Sequence, residues 1–257
     1  MFAMSAANSF RPMVSQPIRH SSPETAMLTR TRRLSLFSKS TSDEDNSSAA
    51  SSSTGTSVRF LGRGKNAIVR PGVVLVAPPD EFHHFLREAA VFIYAMGHDE
   101  DDEYVIRGAI IDHPTPFTIH EMLPADSNAV DANNEATAEF LQNLMYRGGE
   151  LGDAVFMLHS DPKLGDQAKQ EMIGGSGVFQ GGMEYAVNNE YAIDPQKVKF
   201  FFQYMEFTEV ELEEMLENRE EESTQWVSVE VPPDFVLSNE WDRGEAWARL
   251  RNAVRDK

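Results

Sequence analysis

The chain has 257 residues, 41% of them hydrophobic, and its formal net charge is −18 at pH 7. This length can build one well-packed core, but the longest apolar run, residues 89–96, is far shorter than the roughly twenty residues of a membrane-spanning helix. The absence of cysteine excludes disulfides, thiolate zinc sites and cysteine nucleophiles. Because the acidic charge repels phosphate backbones, direct nucleic-acid binding is not expected. Membrane insertion is not expected either, because no apolar run is long enough.

Residues 1–42 differ in composition from the rest of the chain. They contain six basic side chains, one acidic side chain and thirteen Ser or Thr residues. A basic, hydroxyl-rich and acid-poor leader is typical of a transit peptide for a chloroplast or, alternatively, a mitochondrion; a plain disordered tail is the other interpretation. Residues 43–57 are acidic and rich in serine, which predicts a disordered linker. The body, residues 58–257, carries 17 basic and 37 acidic side chains.

The body reads as a succession of short strands and capped helices. Thr118 with Glu121 and Thr208 with Glu211 have the spacing of capping boxes, which predicts that a helix begins at each threonine. Strands and helices interleave without a regular βαβ rhythm, and this favours a single α+β domain. The predicted strands are 73–77, 91–95, 105–111, 154–158, 198–204 and 226–231, and the predicted helices are 80–87, one from 118, 136–144, 208–217 and 242–255.

The strand predicted at 198–204 carries three consecutive aromatic residues at positions 200–202. Successive side chains of a strand point to opposite faces, so these aromatics cover both faces. This pattern is expected of a strand buried on both sides, and equally of a strand whose outer face meets a partner.

Several segments of the body follow one another in a recognisable order and spacing: Gly72-x-x-Leu75-x-Ala77-x-Pro79, Gly108-x-Ile110-Ile111-x-x-Pro114-Thr115, Gly148-Gly149, Val155-Phe156-x-Leu158-His159, Phe201-x-x-Tyr204-x-x-Phe207, Glu211-Leu212-Glu213 and Trp226. Together they resemble the YqgE/AlgH family, over about residues 70–250. The resemblance implies a mixed β-sheet curled into a pseudo-barrel and flanked by helices, no established catalytic residues, and the name of a transcriptional regulator for some members. It also implies plastid targeting for plant and algal members.

The chain also departs from the pattern of that family. Asp112 stands where the family usually has Asn, and Glu150 and Leu151 stand where it has Pro and Val. Two glycines of the family's Gly-Tyr-Ala-Gly-Trp segment are replaced, by Gln203 and Glu206. We therefore interpret the chain as a divergent plant or algal-type member.

Five residues are the candidates for a ligand-binding site. The three polar ones fall at the ends of predicted strands, where sites often assemble, and a Gly-Gly pair follows a predicted helix and precedes a strand. A Gly-Gly turn can present backbone amides to an anion, although simple turn geometry is the favoured interpretation of this pair. His159 closes a strand and matches a histidine of the family. The candidates are Asp112, His113, Gly148, Gly149 and His159.

No catalytic motif, cofactor motif or metal-ligand spacing is recognised in the sequence. Gly174-Gly175-Ser176-Gly177 is followed by Val178 rather than the glycine that a nucleophile elbow needs. The histidines show no helical His-x-x-x-His spacing, so neither a metal nor a cofactor is predicted. The glutamates that follow Thr208 are interpreted as the solvated face of a helix.

The predicted function is that of a non-catalytic regulatory or interaction protein, which binds an unidentified protein or small ligand inside a plastid. One alternative is a hydrolase that uses His159 with Asp112, His113 or Glu150 as acid–base groups. The other is a transcriptional regulator, which follows from the naming of the family alone. The sequence makes no prediction of oligomeric state.

Overall fold

The computed structural model of the chain describes residues 57–122, 140–183, 185, 193–217, 221–255 and 257. The predicted leader, the predicted linker up to residue 56, residues 124–135, whose polar sequence predicts a loop, and the first four residues of the predicted helix 136–144 lie outside these residues. Everything described belongs to one compact unit, Gly55–Lys257.

Ten strands and five α-helices are found in the described residues. The strands are β1 (Arg59–Arg63), β2 (Val74–Val76), β3 (Ala90–His98), β4 (Tyr104–Ile110), β5 (Pro114–Thr118), β6 (Leu144–Arg147), β7 (Leu151–His159), β8 (Phe179–Gln180), β9 (Val198–Thr208) and β10 (Val227–Glu230). The helices are α1 (Ile119–Met122), α2 (Pro162–Gln167), α3 (Glu209–Glu217), α4 (Pro233–Leu237) and α5 (Glu245–Ala253).

The strands form one sheet of order β1-β10-β2-β3-β4-β9-β6-β5, with β7 paired to β9 and β8 paired to β7. Neighbouring strands are antiparallel except β6 and β9, which are parallel. The predicted α+β class and the mixed sheet are confirmed. The sheet is not closed into the pseudo-barrel that the resemblance implied, because the described residues of its two end strands, β1 and β5, do not pair with each other.

The core lies on both faces of the sheet because its central strands are apolar on both faces. In β2, Val74 and Val76 belong to the hydrophobic cluster that includes residues of α4 and α5, while Leu75 belongs to the cluster that includes residues of α3. This period of two is what a strand covered on both sides requires.

Strand β9 is likewise buried on both faces, which decides between the two interpretations of its aromatic run. The Phe200 ring stacks on Phe140, with ring centroids 5.9 Å apart, and the Phe201 ring stacks on Phe156 at 5.3 Å. Phe200 and Phe201 belong to different core clusters. Phe200 and Phe201 therefore serve the core on opposite faces of β9, whereas Phe202 is only partly buried.

Both predicted capping boxes are present. The Thr118 and Thr208 backbone N–H groups donate to the carboxylates of Glu121 and Glu211 at 2.8 and 2.9 Å, and each threonine hydroxyl accepts in return from the N–H of its glutamate. Helix α3 begins at Glu209 as this geometry dictates.

Two segments differ from the prediction. Residues 80–87 form turns rather than a helix, and Phe82 is 89% exposed, so the predicted apolar face is not buried as a unit. The segment containing Pro114 and Pro116, which lies beyond the end of the predicted strand 105–111, forms a further strand, β5. Proline is tolerated there because β5 is an edge strand. Backbone N–H groups on the outer side of an edge strand have no neighbouring strand to donate to, so proline loses no hydrogen bond there.

None of the helices in the described part of the chain combines the length and the apolar character needed to span a bilayer.

Candidate functional site

A cavity of about 610 Å³ opens beside the edge strand β5. It is bounded by the turn at 82–87, by α1, by the ends of β5 and β6, by the middle of β9 and by the loop before α5. Half of the lining residues are apolar and half are polar. The apolar residues are Phe85, Pro114, Pro116, Phe117, Met122 and Phe202, and the polar residues are His84, His113, Thr115, Arg147, Gln203 and Arg243.

Among the described residues, the charged and ionisable side chains of this lining are all basic: two arginines and two histidines, and no carboxylate. That is unexpected in a chain with 41 acidic and 23 basic residues. The cavity is therefore a local basic site on an acidic protein.

Arg147 is held in a fixed orientation at the wall of the cavity. Its Nε atom donates to the Gly149 carbonyl oxygen at 3.2 Å and to the Gln203 side-chain oxygen at 3.1 Å. The guanidinium carbon lies 4.4 Å from the centroid of the Phe85 ring, within cation–π range. These contacts use the Nε side of the guanidinium.

Arg243 approaches the same cavity from the loop before α5. Its Nη2 atom donates to the His84 carbonyl oxygen at 3.5 Å, a long hydrogen bond. In the part of the chain that the structure describes, neither Arg243 nor Arg147 forms an ion pair with a carboxylate.

His113 lies between the two arginines and the core. It is 6% exposed, and its Nε2 atom is buried without a hydrogen-bond partner among the described residues. Burial, together with the positive charges of Arg243 and Arg147, lowers the pKa of His113 to about 4. His113 is therefore neutral at pH 7, and the positive field of the two arginines reaches it.

Asp112 points away from the cavity into the core. Its carboxylate accepts from the Trp247 backbone N–H at 2.9 Å and from that of Ala90 at 3.4 Å, and the side chain is fully buried. Burial raises the pKa of Asp112 to about 7 in spite of these hydrogen bonds and the positive charge of Lys199.

Lys199 is a buried cation that the sequence analysis did not single out. Its Nζ atom donates to the carbonyl oxygens of Ile111, at 2.7 Å, and Ser238, at 2.5 Å. The same atom lies 3.6 Å from the centroid of the Tyr146 ring. Burial lowers the pKa of Lys199 well below its usual value.

Asp112 and Lys199 have the structural features of core groups rather than of a cavity lining.

Asp112→Asn is expected to become more stable relative to the native chain as pH rises from about 5 to about 8. The folded-state pKa of about 7 lies above the unfolded value of about 3.9, so the folded chain binds more protons in this window and its stability falls with rising pH. Asparagine removes this titration.

Urea denaturation of the native chain and of Asp112→Asn at four pH values checks this expectation. The difference in free energy of unfolding should shift by about 1–3 kcal/mol in favour of the variant between pH 5 and 8. Asp166→Asn, at an exposed position of α2, is the matched control and should show no such shift. A flat difference for Asp112→Asn would contradict the prediction.

Gly148 and Gly149 mark a close approach of two backbones. A Cβ atom on Gly148 would lie 2.4 Å from the Gln203 carbonyl oxygen, and one on Gly149 would lie 2.1 Å from the Tyr204 carbonyl carbon. The Gly148 N–H donates to the Phe202 carbonyl oxygen at 2.9 Å. That amide is thus occupied by β9, and the pair positions Arg147 rather than lining the cavity.

His159 lies at the end of β7, away from the lining of the cavity. Its Nδ1 atom accepts from the Asp161 N–H at 3.2 Å, so the proton is on Nε2, which donates to the Gln170 side-chain oxygen at 2.8 Å. The ring is fully buried and stacks on Phe179, with centroids 5.3 Å apart. Burial lowers its pKa. Both ring nitrogens are thus engaged within the core.

The five sequence candidates are therefore not brought together. His113 lines the cavity, and Gly148 and Gly149 support its wall. Asp112 faces the core, and His159 is buried at the end of β7, away from the cavity. The sequence analysis did not identify the two arginines. The position of Arg147 directly before the Gly-Gly pair could have indicated it, whereas no sequence feature marks Arg243. The described ranges hold no group of three or more side chains suited to a metal ion.

Comparison with known proteins shows the family to which the chain belongs. A family model described as AlgH-like matches residues 74–255, most of the chain. The chain belongs to the AlgH-like family, as its sequence motifs predicted. Comparison with curated proteins gives no significant match.

Two solved structures resemble the chain. A crystal structure of a Corynebacterium diphtheriae protein is 15% identical, with a TM-score of 0.52, over 74% of this chain and 88% of that one. The solution structure of the AlgH protein from Pseudomonas aeruginosa is 16% identical, with a TM-score of 0.46, over 81% of this chain and 93% of that one. At this identity the first similarity concerns the fold alone.

Proposed function

We propose that this AlgH-like chain is a non-catalytic binding protein whose site is the cavity beside β5. The observation that carries the proposal is the lining itself, where apolar walls adjoin two arginines that lack carboxylate partners in the described residues. A cavity with apolar walls and a few convergent polar groups is the usual form of a ligand site.

The contacts of the candidate acid–base groups favour binding over hydrolysis. His159 has both ring nitrogens engaged in the core, and Asp112 accepts two backbone hydrogen bonds there. Neither residue belongs to the lining of the cavity, so a general acid or base among the described lining residues would have to be His84 or His113. His113 is neutral and almost fully buried.

Phe117→Asp is expected to abolish binding. Phe117 is 49% exposed in the lining, and an aspartate there would remove apolar contact area and bring a carboxylate to the two arginines. The full chain and the variant, each immobilised, are incubated with an organelle extract, and bound proteins and small molecules are identified by mass spectrometry. Recovery of the ligand should fall at least about tenfold, equivalent to a loss of about 1.4 kcal/mol.

The matched control is Phe82→Asp, because Phe82 is 89% exposed and does not line the cavity. This control should bind as the native chain does. Recovery of the same stoichiometric ligand by Phe117→Asp, or of no ligand by any form, would contradict the proposal.

We further propose that the protein acts inside a plastid, with a mitochondrion as the alternative compartment. The basic, hydroxyl-rich composition of residues 1–42 supports this. Sequencing of the mature protein should find an N-terminus between about residues 34 and 58, within or just after the leader and linker. A chain that still begins at Met1 outside the organelle fraction would overturn the targeting proposal.

A further inference from the structure

We infer that the cavity beside β5 binds a small organic anion, a carboxylate or phosphate attached to a flat apolar group, with the charge held by Arg147 and Arg243. This inference rests on the proposed function, and it names the class of ligand that the same site takes.

Arg147 is prepared to bind an anion before any ligand arrives. Its Nε atom is engaged by Gly149 and Gln203, and Phe85 supports the plane of the guanidinium. The terminal nitrogens form no hydrogen bond with the described residues and lie on an exposed side chain. A guanidinium fixed in this way loses little conformational entropy when it forms two parallel hydrogen bonds to a carboxylate or phosphate.

Arg243 adds a second charge to the same lining, and none of the described lining residues is a carboxylate that could neutralise the pair. Both arginines line the same cavity as His113, and the positive charge of each lowers the pKa of that histidine. The neighbouring carboxylate, that of Glu150, is turned toward His83, 3.3 Å away, and does not line the cavity. Two converging cations without a local counter-charge favour an anion.

The walls suit a small molecule better than a peptide strand. Phe85, Phe117 and Phe202 offer ring surfaces for a flat apolar group, and a cavity of about 610 Å³ falls in the size range of small-molecule sites. An extended peptide would have to pair with β5, but Pro114 and Pro116 lack the N–H groups that such pairing requires.

The inference is tested with the full chain and simple probes, by calorimetric titration. Benzoate and phenyl phosphate carry the two anionic groups on one ring, benzamide is a neutral counterpart of benzoate, and acetate lacks the ring. Benzoate or phenyl phosphate should bind at least about tenfold more tightly than benzamide and acetate. The tighter of the two anions identifies which group the site prefers.

Arg147→Gln and Arg243→Gln should each weaken binding of the preferred anion at least about tenfold. Arg243→Gln is the more conservative test, since Arg243 makes one long hydrogen bond within the described residues, and thermal melts show whether each variant folds. Arg255→Gln, an exposed arginine outside the lining, is the control and should bind as the native chain does.

The ring of His113 supplies an independent readout. Binding of an anion offsets the positive charges of Arg147 and Arg243, so the pKa of His113, followed by NMR, should rise from its depressed value when the probe is added. Binding without this rise would place the anion elsewhere and overturn the inference.

The remaining outcomes separate this inference from the proposed function. If benzamide binds as tightly as benzoate and both arginine variants bind normally, the cavity is a binding site but not for anions. If no probe binds, while Phe117→Asp still removes a ligand from the extract, the anion inference fails and the binding function stands. An equal loss of binding in Arg255→Gln would mean nonspecific charge attraction and would also overturn the inference.

Discussion

Gly149→Ala is expected to destabilise the protein by at least about 3 kcal/mol, or to prevent folding altogether. A Cβ atom at this position would lie 2.1 and 2.2 Å from the carbonyl carbon and oxygen of Tyr204 and 2.4 Å from the Met205 nitrogen. These are backbone atoms of β9, so no rotation of a side chain can relieve the overlap. Because β9 pairs with β4, β6 and β7, the strand cannot shift without disturbing three others.

Urea denaturation measures the effect, and Gly97→Ala is its matched control. Gly97 lies in β3, and a Cβ atom added there has no neighbour within 4 Å. That variant should remain within about 0.5 kcal/mol of the native chain. A free energy of unfolding for Gly149→Ala within about 1 kcal/mol of the native value would show that the two backbones are further apart than described.

Lys199→Ala is expected to cost about 3–5 kcal/mol in free energy of unfolding. The substitution leaves an empty space among Tyr146 and Phe201 and removes the donor that serves the carbonyl oxygens of Ile111 and Ser238. It also removes the cation that offsets the buried carboxyl group of Asp112. Lys199→Met fills the space again but leaves both carbonyl oxygens unpaired, so its cost should be lower, roughly 1–3 kcal/mol.

Urea denaturation at pH 7 compares these variants with Lys197→Ala, which removes an exposed lysine two residues earlier in the chain. That control should lie within about 0.5 kcal/mol of the native protein. If Lys199→Ala is no less stable than Lys197→Ala, the ammonium group is not buried as described.

The local features of the fold could be predicted because each depends on neighbours in the sequence. Thr208 and Glu211 begin a helix through contacts three residues apart, and the alternation from Val198 onward predicts a strand. The order of the strands could not be predicted in the same way, because β1 pairs with β10, about 170 residues away in the chain.

The candidate site was predicted only in part, for the same reason. His113 was found because it ends a predicted strand. Arg243 lies 130 residues further along the chain and reaches the cavity only after α4 and α5 have packed on the sheet. His159 shares the strand-end position of His113, but the sequence does not reveal that Gln170 and Asp161 engage both of its nitrogens.

The buried pair shows a different limit of sequence analysis. Lys199 lies on the same face of β9 as Phe201, and a pattern of alternation alone cannot distinguish a lysine that reaches solvent from one enclosed by Tyr146. The distinction depends on Ser238, whose carbonyl oxygen accepts from Nζ across the core.

The polar groups of the core are completed by a segment that follows every strand in chain order. Lys199, Tyr146 and Asp112 obtain hydrogen-bond partners from the backbone of Ser238, Trp241 and Trp247 respectively. While the chain is being synthesised, these partners therefore leave the ribosome after the whole sheet. Until this segment packs, the Lys199 amino group and the Asp112 carboxyl group remain hydrated. Water therefore cannot be fully excluded from the core as the strands form one after another.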